Sequence, residues 1–215
     1  MKYFISVLIS ILCVVGLLSP SLFSQTAGDI QLPLPAFANG ATLLDALKNR
    51  KSERSFSEKE LSLQQLSDLL WAACGVNRPE SGQRTAPTAH GKNEIDVYVA
   101  LAAGLYIYDA DKHCLKLVLA EDIRDLTGKQ RFVKNAPVNL IFVADYKKMG
   151  GNKEAKDFYS ATDTGFISQN VYLYCAAEGL ATVVRGWLDR EPLAKKMNLD
   201  PNQNIILAQT VGYSK

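Results

Sequence analysis

The chain is poor in the residues that most metal sites and nucleophile sites need. It has two histidines, His90 and His113, and four cysteines among 215 residues. No cysteines have the paired spacing of a zinc site, and neither histidine lies in a motif typical of a nucleophile and its base. We therefore predict no metal site and no cysteine catalysis, and we assign no catalytic acid or base.

The chain also lacks a strong charge of either sign. Its 24 basic residues nearly balance its 22 acidic residues, which gives a formal net charge of +2. Domains that bind nucleic acid usually carry a marked basic excess on one face. The composition therefore argues against nucleic acid as a partner.

Long apolar runs are scarce, and the one that stands out lies at the start of the chain. Lys2 precedes an apolar run from Tyr3 to Leu18, and small or polar residues follow as far as Gln25. The run is shorter than the ~20 residues that cross a bilayer, and the order of its parts is typical of a secretory signal peptide. We predict a cleaved signal peptide at residues 1–24 and export to the periplasm.

The cysteines that remain after cleavage are odd in number. Cys13 lies in the apolar run, which leaves Cys74, Cys114 and Cys175. At least one thiol must then stay free, even in an oxidising compartment. Cys74 and Cys175 lie in apolar segments and are predicted to be buried in the core.

The rest of the chain predicts one α+β domain. Residues 25–40 have little pattern and indicate an extended N-terminal arm, whereas residues 41–215 show neither repeats nor a linker. Apolar periodicity and capping signals predict helices after Thr42, between Ser62 and Gly75, and at 122–132, 153–179 and 191–197. Strands are predicted at 95–101, 104–109, 115–119, 138–144, 182–187 and 205–211. This alternation favours a central mixed sheet flanked by helices.

The longest predicted helix, residues 153–179, has an unusual distribution of apolar residues. Small residues recur every three or four positions, and from Gly165 onward apolar residues extend around most of the helix. Such a helix is typically buried on nearly all sides. The pattern predicts a long central helix in the core or at a subunit interface.

A short basic segment follows the first predicted helix. Arg50, Ser52 and Arg54 alternate along it, so in an extended chain their side chains point the same way. Two guanidinium groups beside a hydroxyl match the several acceptor oxygens of a phosphate. Taken alone, the segment is more typical of a solvated surface turn, which is the common fate of a basic cluster.

Six motifs in order resemble those of the FMN-dependent nitroreductase superfamily, most closely its SagB-type dehydrogenase-like members. Each motif is weak singly, but their order and spacing extend the resemblance from about Leu43 to Lys215. The motifs are RKSERSF at 50–56, LLWAACG at 69–75, RTAPTA at 84–89, GLYIYD at 104–109, a segment beginning GF at 165 and ending AAEGL at 180, and VGY at 211–213.

The resemblance implies a homodimer that binds FMN at its interface, on a four- or five-stranded sheet. It implies that Arg50, Ser52 and Arg54 hold the flavin phosphate and ribityl chain, with Lys51 near them. Lys215 is expected to supply a further cation to the phosphate.

The resemblance also assigns the flavin ring to two other segments. Pro87, Thr88 and Ala89 are expected to lie against the ring from the partner subunit, with Thr88 in place of the usual serine. Arg185 and Gly186 match a turn whose backbone N–H groups face N5 and O4 of the flavin. Glycine allows the backbone to approach closely there, and a backbone donor adds no titrating group.

The reaction implied is hydride transfer through flavin N5 in ping-pong order. NADH, NADPH, a quinol or a redox protein would reduce the flavin, and a nitroaromatic, a quinone or a similar small acceptor would oxidise it. The alternatives are an exported flavin-binding protein without turnover and a protein that kept the fold but lost the cofactor. The intact Arg50, Ser52 and Arg54 set argues against the second.

A peptide azoline dehydrogenase is a further alternative, and one motif argues against it. Relatives with that activity carry a Lys-Tyr pair just before the long helix. Here Lys147 and Lys148 are followed by Met149.

Export would constrain the cofactor and the donor. The predicted signal has only Lys2 where a twin-arginine signal would carry two arginines. The chain is therefore expected to cross the membrane unfolded and to take up FMN outside. NAD(P)H is scarce there, which favours a quinol or a redox protein as the donor.

Overall fold

The computed structural model describes residues 28–36 and 40–215 of the chain. The predicted signal peptide lies outside the described residues. The helices are α1 (Leu43–Asn49), α2 (Leu63–Cys74), α3 (Lys153–Ala177) and α4 (Arg190–Lys196). The strands are β1 (Ile30–Gln31), β2 (Val76–Arg78), β3 (Gln83–Arg84), β4 (Ile95–Leu101), β5 (Gly104–Asp109), β6 (Cys114–Leu119), β7 (Val138–Asp145), β8 (Ala181–Arg185) and β9 (Gln203–Gly212).

The described strands form a seven-stranded sheet in the order β1-β6-β5-β4-β7-β9-β8, with β2 and β3 as a separate ribbon. The α+β fold is confirmed, but every pairing is antiparallel rather than mixed. Tight turns join β4, β5 and β6, and such turns can connect only antiparallel neighbours. The described part of the N-terminal arm adds β1 at one edge.

Strand β7 lies in the interior of the sheet, between β4 and β9, and divides two cores. Leu140 and Phe142 face the larger core, beneath α2 and α3. Ile141 and Val143 face the smaller core, which contains Leu193 of α4. Because successive side chains of a strand alternate between faces, a continuous apolar run is needed to bury both.

Helix α3 is long, as predicted, but it is not buried all round. It begins after the N-cap Asn152, and Ile167, Val171 and Cys175 are buried at helical spacing against the sheet. The opposite side carries Phe166, which is 43 % exposed. In the single chain only one face of α3 meets the core, so the additional apolar residues remain on the surface.

The predicted helix at residues 122–132 is replaced by two short 3-10 helices, Arg124–Thr127 and Arg131–Lys134. Gly128 interrupts them in an extended conformation. A Cβ atom at Gly128 would lie 1.9 Å from the guanidinium of Arg185, so only glycine leaves room for that side chain. A tertiary contact therefore breaks the helix that the local pattern favours.

Cys74, Cys114 and Cys175 are all buried and free, as predicted for Cys74 and Cys175. Burial raises the pKa of the Cys74 thiol to about 12 and also raises that of Cys175. Neither thiol is therefore poised as a nucleophile. Among the described helices, none combines the length and apolar character needed to cross a membrane.

Candidate functional site

The basic segment after α1 is held by a tyrosine of α3. Arg50 is the C-cap of α1, and its guanidinium lies 5.3 Å from the centre of the Tyr172 ring. Ser52 Oγ and the Tyr172 hydroxyl share a hydrogen bond of 2.8 Å. Tyr172 therefore brings two of the predicted phosphate ligands to one point, and we call Arg50, Ser52 and Tyr172 the clamp.

Several cations around the clamp have no anionic partner. Among the described residues, the side chains of Arg50, Arg54 and Lys215 form no ion pair, whereas Lys51 pairs with Glu53 at 3.3 Å. The hydrogen bond from Lys51 is the main reason that the pKa of Glu53 is lowered. Uncompensated positive charge remains available for an anionic group.

The C-terminus runs beside this segment. Phe56 pairs with Ser214, and the backbone N–H of Lys215 donates to the Ser55 carbonyl at 3.4 Å. The predicted cations of residues 50–54 and Lys215 therefore lie on neighbouring segments. A cavity of about 320 Å³ adjoins these segments, and its walls include Lys51, Tyr172 and Ser214.

Strand β8 connects the clamp to the predicted flavin-facing turn. The backbone N–H of Val184 donates to the Tyr172 hydroxyl at 3.0 Å. Two residues later, Gly186 is exposed at the end of the strand. The same tyrosine therefore fixes the clamp and the strand that leads to Gly186.

The Arg185 side chain turns away from this surface. Its guanidinium is buried and donates to the Thr127 carbonyl at 2.6 Å and to Asn139 Oδ1 at 3.0 Å. Burial lowers the pKa of Arg185 to about 10. Arg185 can therefore contribute only its backbone to a ligand at the turn, while its side chain anchors the strand end.

An unsatisfied acceptor lies beside the same turn. The Oε1 atom of Gln130 is buried and has no hydrogen-bond partner among the described residues. Its neighbour Lys129 donates its backbone N–H to the Trp187 carbonyl at 3.2 Å, which places this segment against the turn. A buried acceptor without a donor is costly, so it fits a ligand that carries an N–H group.

The Pro87, Thr88 and Ala89 segment is anchored by two buried carboxyl groups. Thr88 Oγ1 donates to Glu94 Oε2 at 2.8 Å, and the backbone N–H of Ala89 donates to Asp163 Oδ2 at 2.7 Å. Burial raises the pKa of Glu94, and the nearby Asp163 carboxyl raises it further. Both effects disfavour the charged form of Glu94, so its carboxyl group holds a proton to higher pH than a free carboxyl group does.

This loop does not meet the clamp within one chain. It is attached to Asp163, whereas the clamp is attached to Tyr172, nine positions further along the same helix. At 1.5 Å per residue these points are about 13 Å apart along α3. The predicted flavin ligands therefore form two groups, one around the clamp and Gly186 and another around Thr88.

Sequence reasoning missed Tyr172, Gln130, Glu94 and Asp163 as members of the site. Tyr172 continues the helical spacing of α3, and no local pattern distinguishes its role from that of a core residue. The carboxyl groups come from distant segments and meet only in the fold. For Glu94, the one local signal is a charged residue directly before an apolar strand.

Lys147 and Lys148, which were considered for azoline chemistry, lie on the surface. Lys147 pairs with Asp200 at 2.8 Å, and Lys148 pairs with Asp96 at 2.7 Å. Both cations are committed to carboxylates, which agrees with the argument against azoline oxidation.

The described residues fit FMN on their own geometry. The clamp and the unpaired cations suit its phosphate, and the Gln130 acceptor and the Gly186 turn suit the polar edge of its ring. No group of three or more metal-ligating side chains exists among the described residues.

Comparison with known proteins defines the class. Residues 47–213 match the family model described as "Nitroreductase family". The chain is 32 % identical over 155 residues to "Putative nitroreductase MJ1384" of Methanocaldococcus jannaschii. The matched region covers 67 % of this chain and 78 % of that protein. The chain belongs to the nitroreductase family and is an FMN-dependent oxidoreductase.

Two solved structures agree with this assignment. A protein of Ralstonia eutropha JMP134, described as a "putative nitroreductase", is 48 % identical to this chain. The two structures superpose with a TM-score of 0.84 over 88 % of this chain and 91 % of that one. A Desulfovibrio desulfuricans protein solved in complex with FMN shares the fold at 20 % identity, with a TM-score of 0.59 over 82 % of this chain and 88 % of that one. The closer likeness to SagB-type members stays a prediction.

Proposed function

We propose that the protein binds FMN between two copies of the chain and transfers electrons from a reduced donor to a small acceptor in ping-pong order. The observation that carries this proposal is the clamp, in which Tyr172 joins Arg50 and Ser52 to the strand that ends at Gly186. Bound FMN supplies reversible hydride chemistry, and the chain supplies binding, orientation and electrostatics. Nitroaromatics and quinones are the acceptor class proposed.

Each group of residues has a separate task in this proposal. Arg50, Arg54 and Lys215 neutralise the phosphate, while Ser52 donates or accepts a hydrogen bond beside it. The backbone at Gly186 stabilises charge that develops at the polar edge of the ring. Because this donor is a backbone N–H, it does not titrate in the working pH range.

The dimer is supported by apolar surface on α1 and α3. Leu43 is 65 % exposed and Leu44 is 76 % exposed, and α1 packs against α3, where Phe166 is also exposed. Several exposed large apolar side chains on adjoining helices are typical of interaction sites. A second copy placed there would cover this surface and bring its own Thr88 loop towards the clamp.

The oligomeric state can be tested by light scattering after size exclusion. Phe166→Glu is expected to give a monomer with weakened FMN binding. Val118→Glu, which changes an exposed apolar residue on the distant strand β6, is the matched control and should remain a dimer. A monomeric native protein with full FMN affinity would contradict the shared site.

The flavin proposal is tested by the visible spectrum of the purified protein. We expect a yellow protein, or a colourless protein that takes up added FMN stoichiometrically. Stopped-flow reduction by NADH, NADPH and a quinol then identifies the donor, and reoxidation by a nitroaromatic shows turnover. A protein that takes up no FMN contradicts the proposal, and one that binds FMN but is never reduced is a flavin carrier.

We also propose that the protein acts in the periplasm after removal of residues 1–24. The support is the sequence pattern of this segment, and export would favour a quinol or a redox protein over NADH or NADPH as the donor. N-terminal sequencing and fractionation of the native protein test the proposal. An intact N-terminus on cytosolic protein would exclude it.

A further inference from the structure

The neighbouring strands β4 and β5 separate at one end of the sheet. Their pairing runs from Leu101 and Gly104 to Tyr98 and Ile107 and then stops. Beyond that point β4 pairs only with β7, through residues 95–97, and β5 pairs only with β6. The gap between two strands that are otherwise adjacent forms a cavity of about 240 Å³, which we call the strand-fork cavity.

The strand-fork cavity has an apolar wall. Ile95, Val97, Ile107 and Cys74 line it, and Tyr108 adds an aromatic ring. The Tyr108 hydroxyl is already engaged by His113 Nδ1 at 2.8 Å, so the ring presents its apolar part. Cavities of this size are below the usual range for drug-sized ligands and suit a compact molecule.

One charged side chain at this cavity has no partner. Arg84 lines the cavity, and its buried Nε atom has no hydrogen-bond partner. Within residues 28–36 and 40–215, its guanidinium forms no ion pair and no side-chain hydrogen bond. A partly buried guanidinium without an acceptor is unfavourable, and a carboxylate would satisfy it through two parallel hydrogen bonds.

The carboxylates at the cavity do not neutralise Arg84. Asp96 pairs with Lys148, and Asp109 pairs with Lys116. The remaining acid, Asp111, is exposed at the rim and forms no ion pair in the described part of the chain. Among the cavity-lining residues, Arg84 is thus the one cation without an ion-pair partner.

We propose that the strand-fork cavity binds a small monocarboxylic acid with an apolar or aromatic body, whose carboxylate pairs with Arg84. This site is separate from the clamp. It lies behind the Pro87 and Thr88 loop, because Arg84 is three residues before Pro87 and a second cavity of about 350 Å³ adjoins both residues. The proposal does not depend on the identity of the electron acceptor.

The test is a ¹⁹F NMR titration of the purified full protein with 4-fluorobenzoate, and with neutral 4-fluorobenzamide as the uncharged comparison. We expect saturable binding of the acid below about 10 mM and at least roughly tenfold weaker binding of the amide, the scale of a lost charge-assisted contact. No saturable binding of the acid, or equal binding of the amide, overturns the proposal.

The arginine itself is tested with Arg84→Gln, which should weaken binding of the acid roughly tenfold. Lys112→Gln removes an exposed cation near the rim that does not line the cavity, and it should bind the acid as the native protein does. Unchanged binding by Arg84→Gln places the acid elsewhere, such as over the flavin, and overturns the proposal. The comparison of acid with amide uses native protein and stands even where Arg84→Gln does not fold.

Discussion

The Tyr172 hydroxyl lies 2.8 Å from Ser52 Oγ and accepts the backbone N–H of Val184 at 3.0 Å. One phenol oxygen on α3 thus joins the basic segment after α1 to an edge strand of the sheet. Segments that are distant in sequence depend on this atom for their relative position. The alignment of the clamp with the Gly186 turn is therefore a property of the fold and not of either segment alone.

Tyr172→Phe should weaken FMN binding by about 1 kcal/mol, since it removes the hydrogen bond with Ser52 while keeping the ring beneath Arg50. The unfolding free energy should fall by a similar amount, because Val184 loses its acceptor. Fluorescence titration with FMN and urea unfolding measure the two effects. Tyr174→Phe, on the same helix, is the control for the general effect of removing a tyrosine hydroxyl. Unchanged FMN affinity in Tyr172→Phe would show that the hydroxyl does not organise the clamp.

Arg50→Ala should weaken FMN binding by roughly 1.5–3 kcal/mol, the scale of a hydrogen bond to a charged group. The loss should be smaller at high salt, because the phosphate is then screened in both proteins. Lys195→Ala removes an exposed cation of α4 and should leave the affinity unchanged. If both variants bind FMN equally well, Arg50 does not hold the phosphate.

The sequence predicts much of the fold because its signals are local. The helix predicted between Ser62 and Gly75 is present and begins with a capping box of Ser62 and Gln65, and the apolar run of β7 forms an interior strand. The alternation of Arg50, Ser52 and Arg54 predicts a phosphate site only together with the other ordered motifs, and that role stays a prediction.

The parts that could not be predicted depend on contacts between distant segments. Helix formation around Gly128 fails because the Arg185 guanidinium occupies the space beside it, and nothing near Gly128 in the sequence reports this. The roles of Glu94 and Asp163 appear only when β4 and α3 meet. The exposure of Phe166 likewise cannot be read from periodicity, since an apolar residue at an interface and one in a core have the same pattern.

Gly186→Ala tests the role of the turn in FMN binding, because we expect the substitution to leave the stability of the fold nearly unchanged. A Cβ atom at Gly186 would meet only Leu207 Cδ2, at 3.6 Å, which is an ordinary contact. The melting temperature should therefore stay within about 2 °C of the native value. If the backbone there faces the flavin, the added methyl group should lower FMN affinity at least roughly tenfold, or about 1.4 kcal/mol. Normal affinity in this variant would place the ring elsewhere.

Glu94→Gln tests the buried carboxyl pair through the pH dependence of stability. Because burial, and then Asp163, raise the pKa of Glu94, the folded chain retains a proton that the unfolded chain releases above its ordinary pKa near 4.5. Stability contributed at this position is therefore lost as the pH rises from that value towards the raised folded pKa. Glutamine holds its amide at every pH and can still accept the hydrogen bond from Thr88.

The unfolding free energy of Glu94→Gln, relative to that of the native protein, should therefore increase between pH 5 and pH 8 by an amount on the order of 1 kcal/mol. Urea unfolding at several pH values measures this difference. Glu60→Gln, which changes an exposed carboxyl group without contacts in the described structure, should follow the native curve. A difference between Glu94→Gln and the native protein that stays constant with pH would mean that the pKa of Glu94 is not raised in the folded state.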